Sequence, residues 1–119
     1  MIGRLSSVVF DCPDPQALAR FYAEVLGVPI TADEGDWVDI GDVRTGRISF
    51  QRAPDHVPPE WPEPGRPQQV HLDIRVDEDV DEAERSVLAL GAVRLAAPEG
   101  KRFRVYADPA GHPFCLEWD

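Results

Sequence analysis

VHLDIRVDEDVDEAERSVLALGA, residues 70–92, holds a strand, a helix and the punctuation between them. Val70, Leu72, Ile74 and Val76 alternate with His71, Asp73 and Arg75, the period of a strand with one apolar face. From Asp79 the spacing changes. Val80, Ala83, Val87 and Leu90 recur at helical intervals and predict a helix over 79–90, closed by Gly91. The acidic run at 77–82 suits the positive end of a helix dipole and lacks the glycine and spacing of a calcium loop.

The same order occurs upstream. Residues 6–12 read as a strand. Asp14 and Pro15 supply an N-cap and a first helical residue. Leu18, Phe21, Tyr22, Val25 and Leu26 then mark one buried face up to Gly27. Three short strands follow each helix. In the first half they lie near Val28–Thr31, Trp37–Ile40 and Arg47–Arg52. In the second they lie near Ala92–Ala96, Arg102–Ala107 and Pro113–Trp118, with a turn at Asp108–Gly111. Setting Leu26-Gly27 on Leu90-Gly91 relates the halves by a constant offset that carries Ser7 onto His71 and Phe50-Gln51 onto Phe114-Cys115. The fold class is therefore α+β: two βαβββ modules, 1–52 and 70–119, forming a curved mixed sheet around a cleft in a single domain. The stretch between them, APDHVPPEWPEPGRPQQ (53–69), is rich in proline, which excludes helix and central strand and predicts an extended connector.

A chain of 119 residues is long enough to build one core. Its net charge of −10, divided evenly between the halves, argues against nucleic acid as a partner and favours a cationic ligand. No apolar run is long enough to span a membrane, and the first residues lack the apolar stretch of a signal peptide. Cys12 and Cys115 make no disulfide framework. A cytoplasmic protein with reduced thiols is expected.

Alternation assigns Val8, Phe10, Val38, Ile40, Ile48, Phe50, Leu72, Ile74, Phe103, Val105, Phe114 and Leu116 to the helix-covered side of the strands. Ser7, Trp37, Gln51, His71, Asp73, Arg104, Tyr106, Cys115 and Glu117 fall on the other. A polar face with embedded aromatics suits a ligand cleft better than open water. On this reading those nine residues are the ligand-binding set and His71 is the catalytic candidate. Asp73 orients His71 or meets a cationic group. Trp37 and Tyr106 are pocket walls or packing beneath the connector. Cys115 is a small filler unless a cationic neighbour activates it. No phosphate loop, Ser–His–Asp set or CxxC pair occurs.

DPQALARFYAEVLG, VHLDIRVDEDVDEAERSVLALGA and DPAGHPFCLEW resemble the first helix, second-module start and final hairpin of the vicinal oxygen chelate superfamily, which includes glyoxalase I, bleomycin-resistance proteins and extradiol dioxygenases. The resemblance implies a small-molecule site and a homodimer. Metal-using members take one ligand from the first strand of each module, His or Gln, and one from the last, Glu. His71 fits that pattern. Ser7 departs from it, Gln51 offers a neutral amide, and Cys115 stands where Glu is expected, with Glu117 two residues on. Loss of both carboxylates removes the base that proton abstraction needs. The expectation is a ligand binder or metal-free enzyme with a degenerate metal site and no cofactor. The alternative is a divalent-metal lyase or isomerase of the glyoxalase I type, using His71, Gln51 and Glu117.

Overall fold

Asp14 accepts a hydrogen bond from the Ala17 amide at 3.0 Å, Pro15 takes the first helical position, and Gly27 ends the helix in the left-handed region at φ 64°. Those three residues delimit α1, Pro15–Leu26, much as the spacing of the sequence predicts. The computed structural model describes residues 1–119, which divide into two compact units, Met1–His56 and Val57–Asp119. No helix is long and apolar enough to cross a membrane.

The first unit contains β1 (Val8–Cys12), α1, β2 (Ile30–Asp33), β3 (Trp37–Ile40) and β4 (Ile48–Arg52). Its sheet runs β1-β4-β3-β2, with β1 parallel to β4 and the other pairs antiparallel. The ladder sets Phe10 beside Phe50 and Phe50 beside Val38, so their side chains share one face. There they meet Leu18, Phe21 and Tyr22 of α1, all buried. Phe10, Tyr22 and Phe50 form an aromatic cluster with ring centroids 5.8–6.0 Å apart. Burial of this kind contributes about 1.5–3 kcal/mol per large side chain.

The second unit repeats the order with β5 (Leu72–Arg75), α2 (Val80–Ala89), β6 (Val93–Ala96), β7 (Phe103–Ala107) and β8 (Pro113–Glu117). Its sheet runs β5-β8-β7-β6, again with one parallel pair, β5 and β8. Asp79 caps α2 through the Asp81 amide. Only Val87 of this helix is buried, and Leu90, expected on its apolar face, is exposed.

One strand contradicts the expected face assignment. In β7, Arg104 lies opposite Leu116 and Tyr106 opposite Phe114, whereas Phe103 and Val105 lie opposite Glu117 and Cys115. Arg104 and Tyr106 therefore point to the helix side. The cause is α2, which presents carboxylates there. Arg104 bonds Asp81 and Glu84 at 2.9 Å each, the Tyr106 hydroxyl donates to Glu84 at 3.2 Å, and Arg94 donates to Glu84 at 3.2 Å. Tyr106 also stacks on Phe114. Alternation in RFRVYA permits either phase; the acidic helix opposite selects the cationic one.

The connector contains no helix or strand, and residues 57–69 belong to the second unit. Pro58 packs so closely on Gly111 that a Cβ at Gly111 would collide with it, and Gly111 adopts φ 91°. The turn before β8 is closed by the Asp108 carboxylate, which accepts from the Ala110 and His112 amides.

Candidate functional site

The ladders fix which residues of the two modules correspond. In β1 and β4, Val8 pairs with Ile48 and Val9 with Ser49. In β5 and β8, Leu72 pairs with Phe114 and Asp73 with Cys115. Ser7 thus corresponds to His71, as the repeat implies. The last strand is shifted by two further residues, so Cys115 corresponds to Ser49 and Glu117 to Gln51. The pairing of Gln51 with Cys115 expected from a constant offset is therefore corrected. It fails because the modules have unequal loops: 34–36 joins β2 to β3, but 97–102 joins β6 to β7.

In module one these positions are closed upon themselves. Ser49, fully buried, donates to Asp39 at 2.5 Å. Its only proton is committed there, so it accepts from Ser7, whose Oγ is 2.5 Å away. The Trp37 indole N–H donates to the same Asp39 oxygen at 2.8 Å. Trp37 is half-buried and acts as a hydrogen-bond donor in this chain, while Gln51, opposite it on β4, is exposed.

In module two they are open. His71 directly precedes β5, and its Nε2 lies 3.3 Å from Asp73 Oδ1. Asp73 lies across the ladder from Cys115, whose thiol hydrogen-bonds to it. Ligand atoms of His71, Asp73 and Cys115 all fall within 4.8 Å of one another. These three, with Glu117, Arg102, Phe103 and Trp118, line a pocket of about 390 Å³. Arg75 pairs with Glu117 at 3.8 Å and also with Asp119, which steadies the rim. The Arg104 guanidinium is 5.6 Å from the Trp118 ring centroid, close enough for a cation–π contact.

Burial raises the Cys115 thiol to about 11, with the Asp73 carboxylate adding to the effect. At neutral pH it is a protonated thiol, unsuited to nucleophilic attack. Tyr106 is likewise raised to about 12, first by burial and then by the Glu84 charge.

The structure therefore gathers four of the nine expected residues, His71, Asp73, Cys115 and Glu117, at one pocket. Ser7, Trp37 and Gln51 lie on the corresponding face of module one, and Arg104 and Tyr106 face α2. Alternation alone does not reveal Ser49 as the partner of Ser7. Nor does it reveal the walls Phe103, Arg102 and Trp118. Phe103 is hidden by the phase of β7, and the other two lie beyond strand ends, where alternation carries no signal.

Of the residues that correspond to His71 and Cys115, Ser7 and Ser49 are neutral hydroxyls engaged in their own hydrogen bonds.

Residues 7–117 match the family model described as a glyoxalase-like domain. Similar solved structures include a glyoxalase/bleomycin resistance protein/dioxygenase family enzyme from Burkholderia phytofirmans PsJN, with TM-score 0.77, 19% identity and 98% of each chain covered. A fosfomycin resistance protein from Listeria monocytogenes has TM-score 0.74 and 15% identity over 100% of this chain and 95% of that one. A protein from Agrobacterium tumefaciens, solved by solution NMR, has TM-score 0.72 and 20% identity over 98% of each. No curated protein matches the chain. At such identities the structural likeness establishes the fold alone, but the family match spans nearly the whole sequence, and the chain belongs to the glyoxalase-like domain family of the vicinal oxygen chelate superfamily.

Proposed function

We propose that this protein binds a small organic molecule in the module-two pocket and has lost the superfamily's conventional metal set. The observation that carries the reading is the open group of His71, Asp73 and Cys115 in a pocket that Phe103 and Trp118 also line. A cavity of about 390 Å³ with aromatic walls and a few convergent polar groups has the size and composition of a ligand site. Asp73 and Glu117 outweigh Arg102 there, and the whole chain carries −10. The ligand class this favours is a flat compound bearing a positive charge, its ring against Trp118 and its charge toward Asp73. His71 is the group best suited to bond its polar atoms or to move a proton on it. A fosfomycin resistance protein among the structural relatives supports a sequestering or modifying role toward a small molecule. A homodimer belongs to the same reading, and sedimentation tests it separately.

The test is a panel of aromatic cations titrated against the full chain and read by calorimetry. A compound that binds should lose about 1.5–3 kcal/mol of affinity in Asp73→Asn, the usual value of a hydrogen bond to a charged group. Binding that is equal in wild type, Asp73→Asn and His71→Ala would place the ligand elsewhere.

A further inference from the structure

Arginines of the second unit find carboxylates readily, because acidic residues outnumber basic ones there. Arg66 meets Glu60, Arg85 meets Glu82, Arg94 meets Glu84, and Arg104 meets both Asp81 and Glu84. Arg75 meets Asp119 and Glu117, the latter its cross-strand neighbour. Arg102 alone among the arginines of residues 57–119 has no ion pair, yet it lines the module-two pocket. The carboxylates that line the same pocket are already answered. Asp73 has the His71 imidazole at 3.3 Å, and Glu117 has Arg75 at 3.8 Å.

The ladders explain why Arg102 stands apart. Phe103 lies opposite Glu117, so Arg102 sits one step past the end of β7, where its carbonyl accepts the Trp118 amide at 3.1 Å. Asp73 is on β5, two strands away with β8 between. Two strand spacings put roughly 10 Å between them across the sheet. Cys115, the neighbour of Asp73, is three residues from Trp118, which adds roughly 10 Å along the strands. The guanidinium and the Asp73 carboxylate therefore enter the pocket from opposite corners.

We infer that Arg102 is the anion-recognising residue of this pocket, and that the ligand is a zwitterion: a flat ring with its cationic group toward Asp73 and a carboxylate at the opposite end on Arg102. The inference rests on the proposed function for its pocket and its cation, and adds the second charge. A guanidinium offers two parallel N–H donors to a carboxylate, a match that no other side chain lining the pocket provides. A ligand with charges at opposite ends of a ring satisfies both corners at once. A ligand with the cation alone leaves Arg102 unanswered.

The experiment is calorimetry on the full chain with 4-(aminomethyl)benzoate, its methyl ester and 4-methylbenzoate, which carry both charges, the cation alone and the anion alone. The zwitterion should bind more than about tenfold tighter than the ester, the weight of a hydrogen bond between charged groups. In Arg102→Gln that advantage should shrink to within about twofold while the ester keeps its affinity, and Arg102→Lys should retain part of it through charge without the paired donors. Arg102 is exposed, so neither variant disturbs the core, and circular dichroism checks folding. Equal binding of zwitterion and ester to wild type, or an advantage that survives in Arg102→Gln, would overturn the inference and leave the proposed function standing. Arg102-dependent binding of 4-methylbenzoate without binding of the ester would keep Arg102 in its role and sink the cationic ligand class of the proposed function. Failure of all three compounds to bind would overturn both.

Discussion

Module one and module two share an order of strands and a ladder pattern, yet they hold themselves together differently. In module one the helix is bound by apolar burial: Pro15, Leu18, Ala19, Phe21 and Tyr22 are all buried. In module two the helix buries Val87 alone and is tied to the sheet by Glu84, which receives Arg94, Arg104 and Tyr106. The opposite faces differ in the reverse sense. Module one closes its polar face through the Ser7–Ser49–Asp39–Trp37 chain of hydrogen bonds, whereas module two leaves His71, Asp73 and Cys115 exposed or half-exposed at a pocket. The duplicated frame thus supports one copy whose polar face is closed and one whose polar face is open.

The largest effect should come from the apolar clamp. Phe50→Ala removes a fully buried ring and should destabilise the chain by about 3–5 kcal/mol, measured by denaturant unfolding. A cost below about 1 kcal/mol, outside the usual range for such truncations, would remove the first half of the comparison. Glu84→Ala should come next, at about 1–3 kcal/mol, because three donors lose one acceptor. Concentrated salt should narrow the gap between this variant and wild type while leaving the Phe50→Ala gap intact. Equal salt responses would mean that module two is not held by its ion cluster.

Exchange of the corresponding polar positions sharpens the contrast. Ser49→Ala leaves Asp39 and Ser7 without their shared partner and should cost about 1–2 kcal/mol, whereas Cys115→Ser at the half-open position should cost less than about 1 kcal/mol. The reverse ranking would show that the open site, not the closed one, is structural. The smallest effect is a rate. Alkylation of Cys115 should be slow at neutral pH and rise until about pH 11, where burial and Asp73 place the thiol. Asp73→Asn removes a negative neighbour, so the profile should move to lower pH. An unmoved profile would show that Asp73 does not act on the thiol.

Much of this frame is legible in the amino-acid sequence. Asp14, Pro15 and Gly27 act locally, so the limits of α1 follow from residue type. The pairing of Ser7 with His71 is legible because strand and helix have equal spacing in both modules. Two features are not. The phase of β7 depends on Glu84, which lies nineteen positions before Phe103 in the chain and opposite the sheet in space; alternation carries no trace of it. The match of Ser49 to Cys115 depends on the length of two loops, and a constant offset slides past it. Arg102 and Trp118 become pocket walls only through the geometry of strand ends.

The central claim is that binding belongs to the module-two floor. Its most direct test is backbone amide NMR of the full chain, titrated with an aromatic cation that calorimetry has shown to bind. The account predicts that His71, Asp73, Cys115 and Trp118 shift with the titration while Ser7, Asp39 and Ser49 hold still. Saturable shifts centred on Ser7, Asp39 and Ser49, with the module-two floor unmoved, would contradict it.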